Sequence, residues 1–341
     1  MIYIDGSYGE GGGQVLRTSL TLATLTGTPL RLDRIRAKRK KPGLAAQHLT
    51  CVRAAAALCN AECKGDALGE IALDFIPQTP PQPGEYLFDV TTAGAVSLIV
   101  QTVLMPLALT PGESLIALRG GTYVPFSPPV PYLQQVFLPL LERMGVSATV
   151  ELVKWGWYPR GGGEIQLRVT GGGAPRGLQL RDRGELTQVR GLAVVTELPS
   201  HIPQRMANRA ENVLRDAGLY AKVEPRREKG IAPGAALFLT AEYERSFAGC
   251  GALGRKGLPS DRVADMACEA LLQFHHSDAA IDRFLADQLL LPAALASEES
   301  HYRVADVTLH LTTNAWAIEQ FGLAKIHCSE TEKIISVYPT G

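Results

Sequence analysis

The chain has 341 residues, which suggests about two domains, and 46% of them are apolar. Its 34 basic and 34 acidic residues give a formal net charge of zero, which argues against a protein that coats nucleic acid generally. There is no apolar run long enough for a membrane span, no secretory signal pattern and no CxxC pair among the six cysteines, so we expect a cytoplasmic protein with reduced thiols.

Short β-like runs alternate with helical patterns along the chain. In the first half we predict strands at 2–5, 30–35, 70–76, 86–90, 115–119, 148–153 and 164–169, and helices at 14–26, 43–60, 93–109 and 131–144. Pro42 stands where a helix often begins. The last part repeats the pattern with helices at 279–291 and 313–321 and strands at 302–307, 324–328 and 333–338.

The middle of the chain has a different character. A breaker-rich stretch at 170–176 is followed by strands at 189–197, 220–225 and 235–243 and helices at 203–217 and 259–274. Units on either side recur at a spacing of roughly 75 to 85 residues, which fits repeated α+β units. We therefore predict an inserted second domain at 185–276, with 1–184 and 277–341 forming a large domain.

A glycine-rich segment joins the first predicted strand to the first helix. Its sequence is DGSYGEGGGQVLR, and four of the five residues from Gly9 to Gly13 are glycine. Glycine lets backbone N–H groups approach a ligand closely, and the N-terminus of a helix favours an anion. Glu10 would repel a phosphate unless a cation lay between them, so we favour a metal–phosphate site over a simple turn.

A basic segment follows the second strand. Residues 31–41, RLDRIRAKRKK, contain seven basic residues and one acidic residue, a local charge of +6. Such a run is often only a solvated face, but a one-signed loop favours phosphate contact. Gln47 and His48 come next on the predicted helix, where we expect His48 to be hydrogen-bonded and not catalytic.

Two further motifs leave alternatives open. In WGWYPRGGG at 155–163, the three aromatic side chains either stack on bases or pack against a sheet. His310 is predicted to end a strand before a helix, where a single histidine is usually structural or solvent-facing. Asp287 and Gln288 lie in an otherwise apolar helix, which is unusual without a polar partner.

Together these motifs resemble the RNA 3′-terminal phosphate cyclases over essentially the whole chain. The matching segments, in order, are DGxxGEGGGQxLR, IRAKRKKPGLAAQHL, AGxxxLxxQTVL, GGT, YPRGGG, LADQL and HLxTN. The resemblance implies an α+β fold: three repeated α/β units, similar to the C-terminal domain of translation initiation factor 3, form a large domain that carries a smaller inserted α/β domain. It also implies that ATP and a divalent metal, Mg²⁺ or Mn²⁺, convert an RNA 3′-phosphate end into a 2′,3′-cyclic phosphate.

The resemblance further implies a covalent histidine–AMP intermediate, followed by an RNA-adenylate. His310 matches the nucleophile, and Glu10 matches the metal ligand. The residues that match the RNA and phosphate site are Arg17, Arg36, Arg39 and Gln47, and those that match the ATP pocket are Gln101, Pro128, Phe247, Phe284, Asp287 and Gln288. Phe284 departs from relatives with tyrosine, and Lys38, Lys40 and Lys41 add basic charge that we expect to strengthen RNA attachment.

Two other functions stay open. A non-catalytic, cyclase-like RNA-binding protein of ribosome assembly would be expected to lack the nucleophile, whereas His310 is present. An enolpyruvyl transferase has a related architecture but needs no adenylated histidine. The expected partner is therefore an RNA 3′-phosphate end, with no membrane association, and the zero net charge is the sum of a +6 segment and a −6 remainder.

Overall fold

The computed structural model describes residues 1–340 and contains, within them, four four-stranded sheets with helices packed against them. The predicted α+β class is confirmed at this level. Among the same residues there is no helix with both the length and the apolar character needed to cross a membrane.

The first sheet is built from the N-terminal part of the chain. Its elements and connecting helices are β1 (Ile2–Asp5), α1 (Gly13–Thr26), β2 (Leu30–Asp33), α2 (Ala46–Cys59), β3 (Glu62–Lys64) and β4 (Leu73–Ile76). The strand order is β1-β2-β4-β3, with β1 parallel to β2 and the other pairs antiparallel. Helix α1 is buried along most of its length, which its nearly uncharged sequence permits.

The second sheet follows directly. Its elements are β5 (Glu85–Asp89), α3 (Val96–Leu109), β6 (Gly112–Gly120), α4 (Val130–Tyr132), a π-helical turn (Leu133–Phe137), α5 (Leu138–Arg143), β7 (Ser147–Lys154) and β8 (Gly163–Gly171). The order is β5-β6-β8-β7, and again the first pair is parallel and the other two are antiparallel.

The chain then forms one strand of a third sheet before it enters the fourth. These elements are β9 (Gln179–Leu180), β10 (Leu186–Thr196), α6 (His201–Asp216), β11 (Ala221–Glu228), β12 (Gly234–Tyr243), β13 (Phe247–Leu253) and α7 (Ser260–His275). The sheet β11-β10-β12-β13 packs with α6 and α7 around its own hydrophobic cluster, which runs from Val189 to Ala279.

The C-terminal segment completes the third sheet. Its elements are α8 (Leu285–Gln288), α9 (Leu290–Ala294), β14 (Ser300–Arg303), α10 (Leu309–Glu319), β15 (Ala324–Ser329) and β16 (Ile334–Pro339). The order is β15-β16-β14-β9, with β9 parallel to β14. A larger hydrophobic cluster joins this sheet to the first two.

Three predicted helices begin at least three residues later than the sequence pattern suggested, one of them α3, which was predicted from 93 and begins at Val96. The helix predicted at 43–60 begins at Ala46, because Gly43 has a φ of +80° and donates its N–H to the carbonyl of Ile35 at 2.8 Å. The start predicted for the helix at 279–291 is also wrong. Ile281 is extended, donating to the carbonyl of Arg303 at 3.0 Å, and helix begins at Leu285.

Three strands were not predicted at all, namely the two-residue β9, which pairs with β14, and the strands β3 and β13. Strand β3 has only three residues. The middle one is partly buried and the other two are exposed, so the strand has almost no hydrophobic pattern. Strand β13, FAGCGAL, contains two alanine–glycine pairs, which carry little β-forming signal. Both are held by pairing with longer neighbours, β4 and β12.

Candidate functional site

His310 lies in the first turn of α10. The helix is capped by Thr308, whose side-chain oxygen accepts the N–H of Leu311 at 3.1 Å. The prediction that His310 ends a strand was therefore wrong, because the capped helix starts one residue before it. This placement leaves the imidazole partly exposed at the end of a fixed element.

The two ring nitrogens of His310 have different surroundings. Nδ1 lies 2.9 Å from Oδ2 of Asp287, and Nε2 lies 4.0 Å from Oε1 of Glu10. Asp287 is itself held on α8, since its carbonyl accepts a hydrogen bond of 2.8 Å from Asn314. A carboxylate at Nδ1 fixes the tautomer that carries its proton there, so the lone pair is on Nε2.

The pKa of His310 is raised above its ordinary value. Burial acts in the opposite direction and is the largest single influence. The hydrogen bond and charge of Asp287, with the charge of Glu10, together outweigh it. The result is an imidazole that is more basic than usual, with its free nitrogen facing a second carboxylate.

The first glycine loop, Gly9–Gly13, brings Glu10 to this histidine. The N–H of Glu10 donates to Oγ1 of Thr313 on α10 at 3.2 Å, and the ring of Tyr8 stacks on Trp316 with 3.9 Å between centroids. Lys38 donates to the carbonyl of Gly9 at 2.6 Å. The loop is thus fastened to the histidine helix on one side and to the basic segment on the other.

Part of the basic segment, residues 31–41, contacts the first glycine loop next to His310. Arg39 forms an ion pair of 2.8 Å with Glu10, and Arg36 donates to the carbonyl of Gly43 at 2.7 Å. Arg17 on α1 is buried and donates to Gln14 at 2.6 Å, while its Nε has no partner among residues 1–340. An unpartnered buried donor is costly, which points to a ligand that supplies an acceptor.

The remaining predicted residues of this group lie nearby. Gln47 accepts the N–H of Ala95 at 3.0 Å. His48 is buried, and its pKa is lowered to about 3, first by burial and then by the positive charges of Arg17, Arg36 and Arg39. The expected hydrogen bonding of His48 is wrong at Nδ1, which has no partner within residues 1–340.

The +6 segment does not act as one surface. Arg31 is paired with Asp33 at 2.7 Å and Asp74 at 2.9 Å on the first sheet, and Arg34 is paired with Asp5. Lys40 and Lys41 are exposed without an ion pair in the described chain. The charge that reaches the site therefore comes from Arg36, Lys38 and Arg39.

A cavity of about 500 Å³ opens beside His310. Several residues expected in the ATP pocket line it, namely Gln101, Pro128, Phe284, Asp287 and Gln288, as does Arg17. Gln101 donates to Gln288 at 3.0 Å, and Gln288 donates to the carbonyl of Phe284 at 2.6 Å. The cavity joins three elements far apart in sequence, α3, α8 and the loop around Pro128.

Phe247 is placed differently. It is buried under the guanidinium of Arg143, 4.6 Å from the ring centroid, and does not line the cavity. Its strand β13 contributes Gly249, Gly251 and Leu253 to the wall instead.

Several lining residues were not predicted from the sequence, Phe126 among them. Phe126 is fully exposed at the cavity and has a φ of +63°, which is unusual for an aromatic residue. The only sequence signal is its place in the proline-rich loop VPFSPP. An exposed ring in a constrained turn offers a stacking face to a planar ligand.

The aromatic residues beside the second GGG are now assigned. Trp155 and Trp157 are 5% and 4% exposed and stack on each other with 5.4 Å between centroids. They pack within the fold, so of the two alternatives the structural one holds for both. Tyr158 is exposed.

A divalent metal would find few protein ligands here. Residues 1–340 contain no group of three or more His, Cys, Asp or Glu side chains that could hold an ion. Glu10 offers one carboxylate, and Mg²⁺ with a nucleotide typically uses one or two carboxylates, substrate phosphates and water. The site therefore fits a metal that arrives with a triphosphate.

Comparisons with known proteins identify the family. The model of the family described as "RTC: RNA 3'-terminal phosphate cyclase" matches residues 8–328. The chain is 62% identical to the RNA 3'-terminal phosphate cyclase of Nostoc punctiforme over 99% of both chains. It is 40% identical to that of Archaeoglobus fulgidus over 98% of this chain and 99% of the other. The chain belongs to the RNA 3′-terminal phosphate cyclase family, as the sequence motifs suggested.

A more distant likeness is to a solved structure, the enolpyruvyl transferase NikO from Streptomyces tendae. It aligns with a TM-score of 0.30 and 20% identity, covering 50% of this chain and 33% of that one. Neither fold nor function follows from a match of this size.

Proposed function

We propose that this protein converts an RNA 3′-phosphate end into a 2′,3′-cyclic phosphate at the expense of ATP, through an adenylated His310. One observation carries the proposal. The Nδ1 of His310 is held 2.9 Å from Asp287, which leaves Nε2 as the free nucleophile next to the cavity. Family membership supports the same reaction.

In the first step, Nε2 of His310 attacks the α-phosphorus of ATP. A nitrogen–phosphorus bond forms, and the bond from phosphorus to the pyrophosphate oxygen breaks. Asp287 keeps the proton on Nδ1 and stabilises the positive charge that develops on the ring. Glu10 would hold the divalent metal, which supplies charge neutralisation for the triphosphate and the departing pyrophosphate.

The nucleoside of ATP would occupy the cavity of about 500 Å³. Gln101 and Gln288 provide amide groups for the polar edge of the base. Pro128 and Phe284 provide apolar faces, to which Phe126 adds a third. Phe284 lacks a tyrosine hydroxyl, so we expect it to contribute stacking alone.

In the next step, an oxygen of the RNA 3′-phosphate attacks the phosphorus of the histidine-bound AMP. The nitrogen–phosphorus bond breaks, so His310 is released and the RNA-adenylate forms. Arg17, Arg36, Arg39 and Gln47 would hold the RNA phosphate, because guanidinium forks bind phosphate oxygens in pairs. The unpartnered Nε of buried Arg17 supports this assignment.

The last step closes the ring. The 2′-hydroxyl oxygen of the terminal ribose bonds to the activated phosphorus, the bond from that phosphorus to the AMP oxygen breaks, and the hydroxyl proton passes to water or to the departing AMP. Nucleophile and phosphorus share one ribose, so proximity supplies much of the acceleration. Arginines that already hold the phosphate would neutralise the charge that builds up on its oxygens.

We also propose that the large domain, 1–184 and 277–341, contains three repeated units and that 185–276 is the inserted domain. Three sheets support this, because each has the order first, second, fourth, third strand, with a parallel first pair. The fourth sheet lies between β9 and β14 in sequence and has its own hydrophobic cluster.

The decisive experiment is incubation with ATP labelled at the α-phosphate, with Mg²⁺ or Mn²⁺ and without RNA. We expect covalent label that resists alkali and is lost in acid, as a phosphoramidate is. His310→Asn removes it, whereas His327→Asn, a change of an exposed histidine on β15, keeps it. A wild-type protein that never takes up label contradicts the proposal.

A further inference from the structure

Two cavities adjoin one another at the junction of the second sheet and the inserted sheet. One, of about 710 Å³, lies between β7 and the strands β10 and β11. The other, of about 390 Å³, lies beside the second glycine loop, Gly161–Gly163. Lys154 at the end of β7 lines both, so the two cavities meet at this residue, and we call them together the groove.

The free charges in this groove are predominantly positive. Lys154, Arg160, Lys222 and Lys229 are exposed, and none has an ion-pair partner within residues 1–340. We call the groove lined by these three lysines and one arginine the lysine groove.

The acidic residues of the groove are largely engaged. Glu164 is paired with Arg119, whereas Glu224 and Glu228 share the single guanidinium of Arg226, at 2.8 and 3.8 Å. Asp89 accepts the N–H of Thr91 at 2.6 Å but has no ion-pair partner within residues 1–340, and neither has Glu151, so two carboxylates stay unpaired against the four cations. Four unpaired cations therefore stand in a protein whose total charge is zero.

The second glycine loop connects the groove to the proposed RNA site. A Cβ added to Gly161 would lie 2.5 Å from the carbonyl of Thr92, so this loop packs tightly on the segment 91–95. The other side of that segment meets the RNA site, where Ala95 donates to Gln47. A Cβ on Gly162 would lie 2.0 Å from Ile231, which seats the turn containing Lys229 on the same loop.

We propose that the lysine groove binds the phosphodiester backbone of the RNA strand that leads to the 3′-phosphate. This inference rests on the proposed function and extends it to nucleotides that take no part in the chemistry. Flexible lysines without fixed partners suit a backbone that is read by charge and not by sequence. Tyr158 is exposed two residues before Arg160 and offers a face for base stacking.

The test measures RNA binding without ATP, so its result does not depend on the chemistry. Fluorescence anisotropy would compare a 3′-phosphorylated single strand of about 20 nucleotides with a 3′-phosphorylated dinucleotide. In the triple variant Lys154→Ala, Lys222→Ala, Lys229→Ala we expect the Kd of the long strand to rise roughly tenfold. The dependence of log Kd on log salt should fall by about 2, or about 0.7 for each lost contact.

The matched control removes three exposed lysines that line neither cavity, Lys64, Lys256 and Lys325. It should bind both RNAs as the wild type does, and both triple variants should still adenylate His310 in the absence of RNA. An unchanged Kd for the long strand overturns the proposal, as does an equal loss for the dinucleotide or an equal effect in the control. Failure of adenylation in the wild type would instead count against the proposed function alone.

Discussion

Gly11–Gly13 and Gly161–Gly163 are both runs of three glycines, and each run adjoins a charged residue, yet their neighbours differ in kind. A Cβ on Gly12 would meet Oε1 of Glu10 at 2.0 Å and a guanidinium nitrogen of Arg39 at 2.5 Å. A Cβ on Gly163 would meet the backbone nitrogen of Gly156 at 2.6 Å. Gly12 in the first run makes room for the ends of charged side chains, whereas Gly163 in the second makes room for the main chain of Gly156 and for a methyl group of Thr122.

The difference predicts separate consequences for function and stability. Side-chain ends can rotate away, so crowding at Gly12 would displace charges while the fold stays intact. Main chain within a paired sheet cannot move without loss of hydrogen bonds, so crowding at Gly163 would cost stability. The same three-residue motif thus serves the reaction in one loop and the assembly of the fold in the other.

The largest effect is expected for Gly12→Ala. The added methyl group would push Glu10 out of its position 4.0 Å from His310 and displace its ion-pair partner Arg39. We expect adenylation of His310 to slow roughly 1,000-fold, since correctly placed charges contribute about that much in other active sites. The free energy of unfolding should change by less than about 1 kcal/mol, because the displaced ion pair is partly exposed. Rapid-quench labelling and urea unfolding check the two parts.

Gly163→Ala should show the reverse pattern, with lower stability and nearly unchanged adenylation activity. The methyl group would press on Gly156 and on Cγ2 of Thr122, both 2.6 Å away. We expect a loss of about 3 kcal/mol in the free energy of unfolding and near-normal adenylation per folded molecule. Each variant is the control for the other. If both lose activity with stability unchanged, the two loops do not differ in the way described.

The sequence revealed the chemistry of the first loop more fully than its geometry. The motif placed Glu10 next to a phosphate, but the meeting of Glu10 with His310 depends on contacts between residues about 300 positions apart, such as Glu10 with Thr313. No local pattern encodes such a contact. The role of Asp287 as the partner of Nδ1 was foreseeable only as a buried carboxylate in need of a polar neighbour.

The same limit explains the errors in the fold. Regular periodicity located the helices α1, α3, α6 and α7 to within a few residues. It failed at 279–284, where apolar residues suit a helix but Ile281 pairs with Val304 in extended form. Counting charges in residues 31–41 also overstated the positive charge available to a ligand. Arg31 and Arg34 are neutralised by aspartates whose proximity the sequence does not reveal.

His48 tests the electrostatics behind the first loop. Its pKa in the folded chain is about 3, below the ordinary 6.5, because of burial and then the nearby arginines. Below pH 6.5 the unfolded chain binds a proton that the folded chain does not, so the stability falls as the pH drops towards 3. His48→Gln lacks this penalty, and its stability relative to wild type should rise by about 2 kcal/mol between pH 7 and pH 5. Parallel pH profiles in urea unfolding would contradict this assignment.

The smallest expected effect is on the pKa of His310. This pKa can separate the contribution of Asp287 on α8 from that of Glu10 in the first glycine loop. Asp287 acts through a hydrogen bond and charge at 2.9 Å, whereas Glu10 acts through charge alone at 4.0 Å. We expect Asp287→Asn to lower this pKa, and Glu10→Gln to lower it by less, because Glu10 contributes charge without a hydrogen bond. NMR titration of labelled histidines checks both shifts, and His310→Asn assigns the signal among the seven histidines.

The direction of that pKa shift also separates two effects of Asp287 on adenylation: its effect on how much His310 is neutral, and its effect on the orientation and charge of the attacking ring. A lower pKa gives more neutral imidazole at pH 6, so titration alone would make Asp287→Asn faster under acidic conditions. We expect the variant to be slower at every pH, because an asparagine at Nδ1 no longer fixes the tautomer or stabilises the charged ring. An Asp287→Asn protein that adenylates faster at pH 6 would show that Asp287 acts only through the pKa, and Glu10 in the first loop would then be the carboxylate that prepares His310.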